Sequence, residues 1–99
     1  MNADGQAGGS GLISRTVTIC NKRGLHARAA AKFVKLAGQF EADVTVVKHD
    51  NEVSGRSIMG LMMLAAGPGM SIELRATGSD AQQAMTALAD LVTSGFDEE

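Results

Sequence analysis

The apolar residues of this chain recur at two spacings, every second residue and every third or fourth residue, and these spacings alternate along the sequence. In residues 13–20, isoleucine and valine share one parity and serine and threonine the other, which predicts a half-buried strand. Residues 43–46 and 71–77 alternate in the same way, and a polar pair after the first of them predicts a hairpin with a short strand at 52–54.

Other segments have helical spacing. Residues 27–37 place their larger apolar side chains on one face and two lysines on the other, and Gly38 is suited to end that helix. Residues 57–64 predict a short helix, with Ser57 positioned to cap its first turn. The first of these helices follows the turn-like residues 21–24, and the second follows the predicted hairpin.

The longest apolar stripe lies between residues 81 and 92, with Ser79 and Gln82 fitting a capping box at its start and Gly95 near its end. The predicted element order is therefore β-α-β-β-α-β-α. Because three strands have one polar face, we expect an antiparallel or mixed sheet covered by helices on one side, since parallel strands buried on both faces are apolar throughout. The fold class is α+β.

Length and composition disfavour several classes of function. The 99 residues suffice for one domain, and the glycine-rich residues 1–11 predict a disordered tail before a domain at 12–99. A net charge of −2 and three Phe, without Trp or Tyr, disfavour nucleic-acid binding. No apolar run reaches the roughly 20 residues of a membrane span, and residues 1–11 do not read as a signal peptide, so we expect a cytoplasmic protein.

Cys20 is the only cysteine, which excludes an intrachain disulfide and a clustered thiolate metal site. We expect a reduced, structural thiol that packs within the first strand. The alternative is a nucleophilic Cys20 served by a histidine. Because paired Cys or His ligands are missing, a metal-carrying or small-ligand module is disfavoured, and no cofactor is expected.

His26 offers the most specific chemistry, because it lies between Gly24 and the start of a predicted helix. Backbone N–H groups are unpaired at a helix start, and the helix dipole there disfavours an imidazolium and favours an anion. Such a position keeps an imidazole neutral and nucleophilic and then stabilises a phosphate bound to it. Arg28, in the first turn, can direct a fork-shaped donor to that phosphate. The plainer alternative is that His26 only caps the helix and Arg28 is solvated.

Residues 24–28 read Gly-Leu-His-Ala-Arg, which resembles the phosphorylation site of the HPr phosphocarriers of the bacterial phosphotransferase system. Residues 57–62, Ser-Ile-Met-Gly-Leu-Met, resemble the regulatory serine site and interaction helix of that family. The resemblance runs from about residue 13 to the end of the chain and implies an open-faced β-sandwich, with a four-stranded antiparallel sheet covered on one side by three helices. The family usually has Pro after this Arg, where Ala29 stands here, which leaves open how rigidly the first helical turn is held.

The resemblance implies a phosphoryl-transfer intermediate rather than an independent enzyme. His26 would accept the phosphoryl group through Nδ1, Arg28 would assist, and Ser57 would be the target of an HPr kinase/phosphorylase. Enzyme I or its nitrogen-branch relative, charged from phosphoenolpyruvate, would be the donor, enzyme IIA-type proteins the acceptors, and the carrier a monomer. The contact surface for these partners is expected at Leu25, Ala27, Ala29, Ile58, Met59 and Met62.

Several alternatives stay open. Ser57 also fits a plain helix cap, and Met59 and Met62 also fit core packing. A regulatory binding protein of the same fold, acting through Ser57 and the methionines without histidine phosphorylation, is a competing function. The sequence also leaves open whether the carrier serves sugar uptake or nitrogen regulation. Residues 57–64 favour one of these two branches of the phosphotransferase system, and the ending favours the other.

Two further groups are expected to be unremarkable surface. His49 follows a predicted strand beside Asp50 and shows no pattern of supporting residues. The acidic residues 97–99 are most simply a solvated terminus, although residues 94–98 resemble the ending of nitrogen-branch phosphocarriers.

Overall fold

A four-stranded antiparallel sheet with helices on one face makes up the part of the chain, residues 11–98, that this computed structural model describes. The predicted α+β class and the element order are confirmed, while the predicted tail falls, except for Gly11, outside the described residues. The elements are β1 (Ile13–Thr18), α1 (Ala27–Ala37), β2 (Asp43–Lys48), β3 (Asn51–Ser54), α2 (Ile58–Met63), β4 (Ser71–Thr77), α3 (Ala81–Thr93) and a 3-10 turn at Gly95–Asp97.

The strands are arranged in the order β1-β4-β2-β3, and every neighbouring pair is antiparallel. Val17 lies opposite Ile72, and Val46 lies opposite Leu74, so the apolar positions of three strands share one face. That face is buried against the helices. The open face carries polar residues such as Glu73 and Arg75, whose carboxylate and guanidinium are 3.1 Å apart. The alternation in the sequence is the cause of this division.

The core lies between the sheet and the helices. Phe33 of α1, Leu61 of α2 and Leu88 of α3 are each no more than 1% exposed. Full burial of such a side chain stabilises the fold by about 1.5–3 kcal/mol relative to exposure. Within residues 11–98, no helix is long and apolar enough to cross a membrane.

The start of α3 differs from the prediction. Its N-cap is Asp80 without a side-chain cap bond, and the capping box of Ser79 and Gln82 does not form. The Asp80 carboxylate instead accepts a hydrogen bond of 2.7 Å from the backbone N–H of Glu41, and the Asp80 N–H donates to the Glu41 carbonyl. A long-range tie to the segment before β2 therefore takes the place of the local cap.

The first strand ends at Thr18, two residues earlier than predicted, and Cys20 is exposed rather than packed in the sheet. Its thiol points to the backbone carbonyls of Val92 and Thr93, at sulfur–oxygen distances of 3.6 and 3.5 Å. The packing prediction was wrong because the residue follows the strand. Among the hydrogen bonds of the described residues, no histidine contacts this thiol, so a nucleophile served by a histidine is not supported.

Candidate functional site

A tight turn delivers the chain to the start of α1. Gly24 has a φ of 62°, and a Cβ added there would stand 2.3 Å from the Ala66 carbonyl oxygen. The N–H of the next residue, Leu25, donates to that same oxygen at 2.9 Å. Only glycine combines a left-handed φ with such a close backbone approach. The turn therefore fixes His26 beside the segment that follows α2.

His26 is the N-cap residue of α1, with extended backbone angles. Its Nδ1 accepts a hydrogen bond from the backbone N–H of Arg28 at 3.2 Å, and its carbonyl accepts one from Ala30 at 2.9 Å. The imidazole is 13% exposed. The ring thus caps the helix, as the plainer interpretation holds. In the same geometry, Nδ1 faces the electropositive start of the helix.

The other ring nitrogen contacts the chain's acidic ending. His26 Nε2 is hydrogen-bonded to Glu98 Oε2, and Glu98 Oε1 accepts a hydrogen bond of 3.0 Å from the Asn21 side-chain amide. Asn21 also donates to the Gly24 carbonyl at 2.9 Å. The expectation of a solvated terminus is therefore wrong for Glu98, which bridges the turn and the ring. Sequence reasoning did not identify either Glu98 or Asn21 as part of the site.

The 3-10 turn that precedes Glu98 is held by burial of one side chain and by hydrogen bonds. Phe96 is fully buried, and its carbonyl accepts a hydrogen bond of 2.7 Å from Lys32 on α1. The Glu98 N–H donates to the Gly95 carbonyl. Phe96 and Asp97 nevertheless have φ values of 58° and 60°. A left-handed conformation costs a non-glycine residue about 1–2 kcal/mol, so burial and the hydrogen bonds must offset that strain.

Hydrogen bonds favour the ionised form of Glu98. The Asn21 amide first, and His26 second, lower the pKa of the Glu98 carboxyl from its ordinary value, because both interactions favour the ionised form. A charged carboxylate only accepts hydrogen bonds. The hydrogen between Glu98 and His26 therefore belongs to the imidazole.

Arg28 and Ala29 complete the first turn of α1. Arg28 is exposed, and within residues 11–98 its guanidinium makes no ion pair with a carboxylate. Ala29 is fully buried, and the helix begins at Ala27 without the proline that the family usually has. Capping by His26 and packing of Ala29 thus define this turn.

The residues of the expected contact surface differ widely in exposure. Leu25 and Ala29 are 5% and 0% exposed, so their side chains pack in the core and offer no area to a partner. Ala27 is exposed. On α2, the exposed fractions of Met59 and Met62 are 68% and 39%, which rules out core filling as their role. The large exposed apolar side chains in and after α2 are Ile58, Met59, Met62, Met63 and Met70, here called the methionine patch.

Two smaller predictions are confirmed. Ser57 caps α2, because its hydroxyl accepts a hydrogen bond of 2.9 Å from the Gly60 N–H. His49 is exposed in the turn between β2 and β3, with a φ of 56°. Among residues 11–98, no three His, Cys, Asp or Glu side chains come together as a metal site requires.

Comparison with known proteins identifies the family. A family model described as "PTS HPr component phosphorylation site" matches residues 13–94. The chain belongs to the HPr family. The phosphocarrier protein HPr of Neisseria meningitidis is 51% identical over 87 residues, which cover 88% of this chain and 98% of that protein. The phosphocarrier protein NPr of Shewanella violacea is 48% identical over 86 residues, which cover 87% and 94%.

Solved HPr structures agree with the fold. The crystal structure of HPr from Thermoanaerobacter tengcongensis matches with a TM-score of 0.84 at 44% identity, covering 88% of this chain and 98% of that one. The open-faced β-sandwich implied by the resemblance is therefore confirmed. HPr proteins are phosphocarriers of the phosphotransferase system, and the prediction of such a carrier is confirmed at the level of the family.

Proposed function

We propose that this HPr-family chain accepts a phosphoryl group on Nδ1 of His26 and passes it to a second protein. The observation that carries the proposal is the placement of His26, whose Nδ1 faces the first backbone N–H groups of α1. The family supplies the reaction class and implies enzyme I as donor and enzyme IIA-type proteins as acceptors. The chain performs half of each transfer, and its partner supplies the other half.

The first turn of α1 suits the product of that transfer. A phosphoryl group on Nδ1 takes the place of the 3.2 Å contact with the Arg28 N–H, which then donates to a phosphoryl oxygen. The exposed Arg28 guanidinium adds a permanent charge and a planar fork of donors. Phosphoryl transfer needs little from a protein beyond positioning and stabilisation of negative charge. Both are available at this helix start.

Partners are proposed to dock on Ala27 and the methionine patch. The Leu25 N–H bonds to the Ala66 carbonyl, so the chain that follows α2 lies directly beside the residue before His26. Met59 and Met63, at 68% and 78% exposure, give that surface a flexible, polarisable character. Such side chains adapt to more than one partner, and a small apolar contact allows the rapid release that a carrier needs.

The test is a labelling experiment with the whole chain. Incubated with phosphoenolpyruvate and enzyme I, the protein is expected to gain one phosphoryl group that is labile in acid and stable in base, as a phosphoramidate is. Phosphorus NMR of the product is expected to show substitution at Nδ1 rather than Nε2, because Nε2 is occupied by Glu98. Acid-stable phosphate alone, or none, would contradict the proposal.

We also propose that Ser57 is a regulatory phosphorylation site for a kinase of the HPr kinase/phosphorylase type. Ser57 is half-buried at the start of α2 and adjoins Ile58 and Met59 of the methionine patch. A phosphate there puts about two negative charges at the edge of an apolar docking surface, which disfavours a partner carrying a phosphoryl group.

Ser57→Asp is expected to slow His26 phosphorylation by enzyme I about tenfold, through the added like charge at the docking surface. The melting temperature should change little, because aspartate is as good an N-cap as serine. Ser14→Asp is the matched control, since Ser14 is exposed on β1 opposite Arg75 and away from α2. Equal rates for the two variants would count against a regulatory role.

A further inference from the structure

The contact between His26 Nε2 and the Glu98 carboxylate has a consequence for the transfer step that goes beyond acceptance of phosphate on His26. We propose that Glu98 is a positioning residue, which holds the imidazole as the Nε2–H tautomer so that Nδ1 presents its lone pair. The inference rests on the proposed function. It assigns a role to a residue of the chain's acidic ending, 72 positions away from His26 in sequence.

Two partners on opposite edges of the ring select the same tautomer. A neutral imidazole carries one hydrogen, so one nitrogen donates and the other accepts. The Glu98 carboxylate can only accept, which places the hydrogen on Nε2. The Arg28 N–H can only donate, which places the lone pair on Nδ1. Neither contact is satisfied by the other tautomer, so together they preset the nucleophilic nitrogen.

The contacts that hold Glu98 in place indicate a function rather than a chance contact. Its second carboxylate oxygen is held by the amide of Asn21, a residue only 6% exposed whose amide also holds the Gly24 carbonyl. The segment reaches this position through consecutive left-handed residues, Phe96 and Asp97. Strained backbone that is kept by surrounding contacts is typical of functional segments. The strain here brings one carboxylate to the ring edge that does not react.

The same contact assists the reaction itself. The donor, by the family resemblance, carries a phosphohistidine. The Nδ1 lone pair forms the new bond to phosphorus, the bond between phosphorus and the donor's ring nitrogen breaks, and its electron pair returns to the donor ring, which leaves as a neutral imidazole with a hydrogen on its other nitrogen. No proton has to leave His26, because the hydrogen stays on Nε2 throughout. Positive charge that develops on the ring as Nδ1 bonds to phosphorus lies beside the Glu98 carboxylate, which stabilises it.

Glu98→Gln tests the proposal, because the amide has the size of the carboxylate but no charge and only one accepting oxygen for two donors. We expect the maximal rate of phosphoryl uptake from phosphorylated enzyme I to fall about ten- to hundredfold. The KM for the donor should stay within about twofold, since the docking surface is untouched. Nitrogen-15 chemical shifts of the unphosphorylated variant should show His26 losing its single tautomer.

Asp97→Asn is the matched control. It removes the same charge one residue earlier, from a carboxylate that contacts the Ser94 hydroxyl at 3.2 Å and not the ring. Rate and tautomer should remain those of the starting protein. Equal losses in both variants would overturn the proposal in favour of a general charge effect. A raised KM with unchanged maximal rate would overturn it in favour of a donor contact, and so would an unaltered tautomer.

Failure of the proposed function gives a different result. If His26 is never phosphorylated, the labelling experiment fails with the starting protein, and the variants cannot be compared by their rates of phosphoryl uptake. The tautomer measurement needs no phosphate. It therefore overturns or supports the role of Glu98 in orienting the ring independently of that outcome.

Discussion

Replacing His26 by alanine is expected to lower phosphoryl uptake from phosphorylated enzyme I by at least about a thousandfold, because the attacking nitrogen is lost and no neighbour can replace it. Within residues 11–98, the only other histidine, His49, lies in the exposed turn between β2 and β3. The measurement is incorporation of labelled phosphate over time, with acid lability scored separately.

Two companions of this variant keep the result interpretable. Alanine also removes the helix cap, at a cost of about 1 kcal/mol, whereas His26→Asn retains an oxygen that can accept from the Arg28 N–H. Both variants should lose uptake alike. His49→Asn keeps a residue that tolerates a left-handed φ and should be phosphorylated normally. Retained uptake in His26→Asn would assign the phosphate to another residue.

Gly24→Ala is expected to be the most damaging single change in backbone geometry. The left-handed φ costs about 1–2 kcal/mol for alanine, and the new Cβ would lie 2.3 Å from the Ala66 carbonyl oxygen and 2.9 Å from the Gly67 Cα. Because both obstacles are backbone atoms, the turn must shift, which costs about 1–3 kcal/mol more. The free energy of unfolding from urea titration should fall by about 2–5 kcal/mol, and phosphoryl uptake should fall with it.

Gly67→Ala is the control for that change. A Cβ at Gly67 meets nothing within 4 Å, although the residue belongs to the same backbone contact. Its effect should stay within about 0.5 kcal/mol, as for most surface substitutions. A Gly24→Ala protein of unchanged stability would show that the approach of Gly24 to Ala66 is not a constraint on the fold.

The fold was predictable because local patterns and tertiary packing agree. Alternation in the strands reappears as opposed pairs such as Val17 with Ile72, and the helical spacing of α1 reappears in the burial of Phe33. The cap of Ser57 was predictable too, since its partner is only three residues away. Interactions within one turn of chain can be predicted because both partners are close together in the sequence.

The parts that could not be predicted depend on contacts between distant residues. Asp80 binds the Glu41 N–H, 39 positions away, and this contact outcompetes the local capping box. The position of Glu98 requires a left-handed backbone conformation at Phe96. Such a conformation is uncommon for a residue other than glycine and cannot be predicted from the sequence. Ala29 was predicted on the contact surface, although its burial could have been predicted instead, because it lies four residues before Phe33 on the side of α1 that packs into the core.

Burial of Phe96 has a consequence for each encounter between carrier and partner. Withdrawing the turn Gly95–Asp97 requires transferring a fully buried phenyl ring to water, which costs about 1.5–3 kcal/mol, and breaking the hydrogen bond from Lys32 to the Phe96 carbonyl. The end of the described chain is therefore anchored in the core by the Phe96 side chain. The entropy cost of fixing the His26 imidazole, which Glu98 contacts, therefore arises when the protein folds, and it does not arise again each time a donor binds.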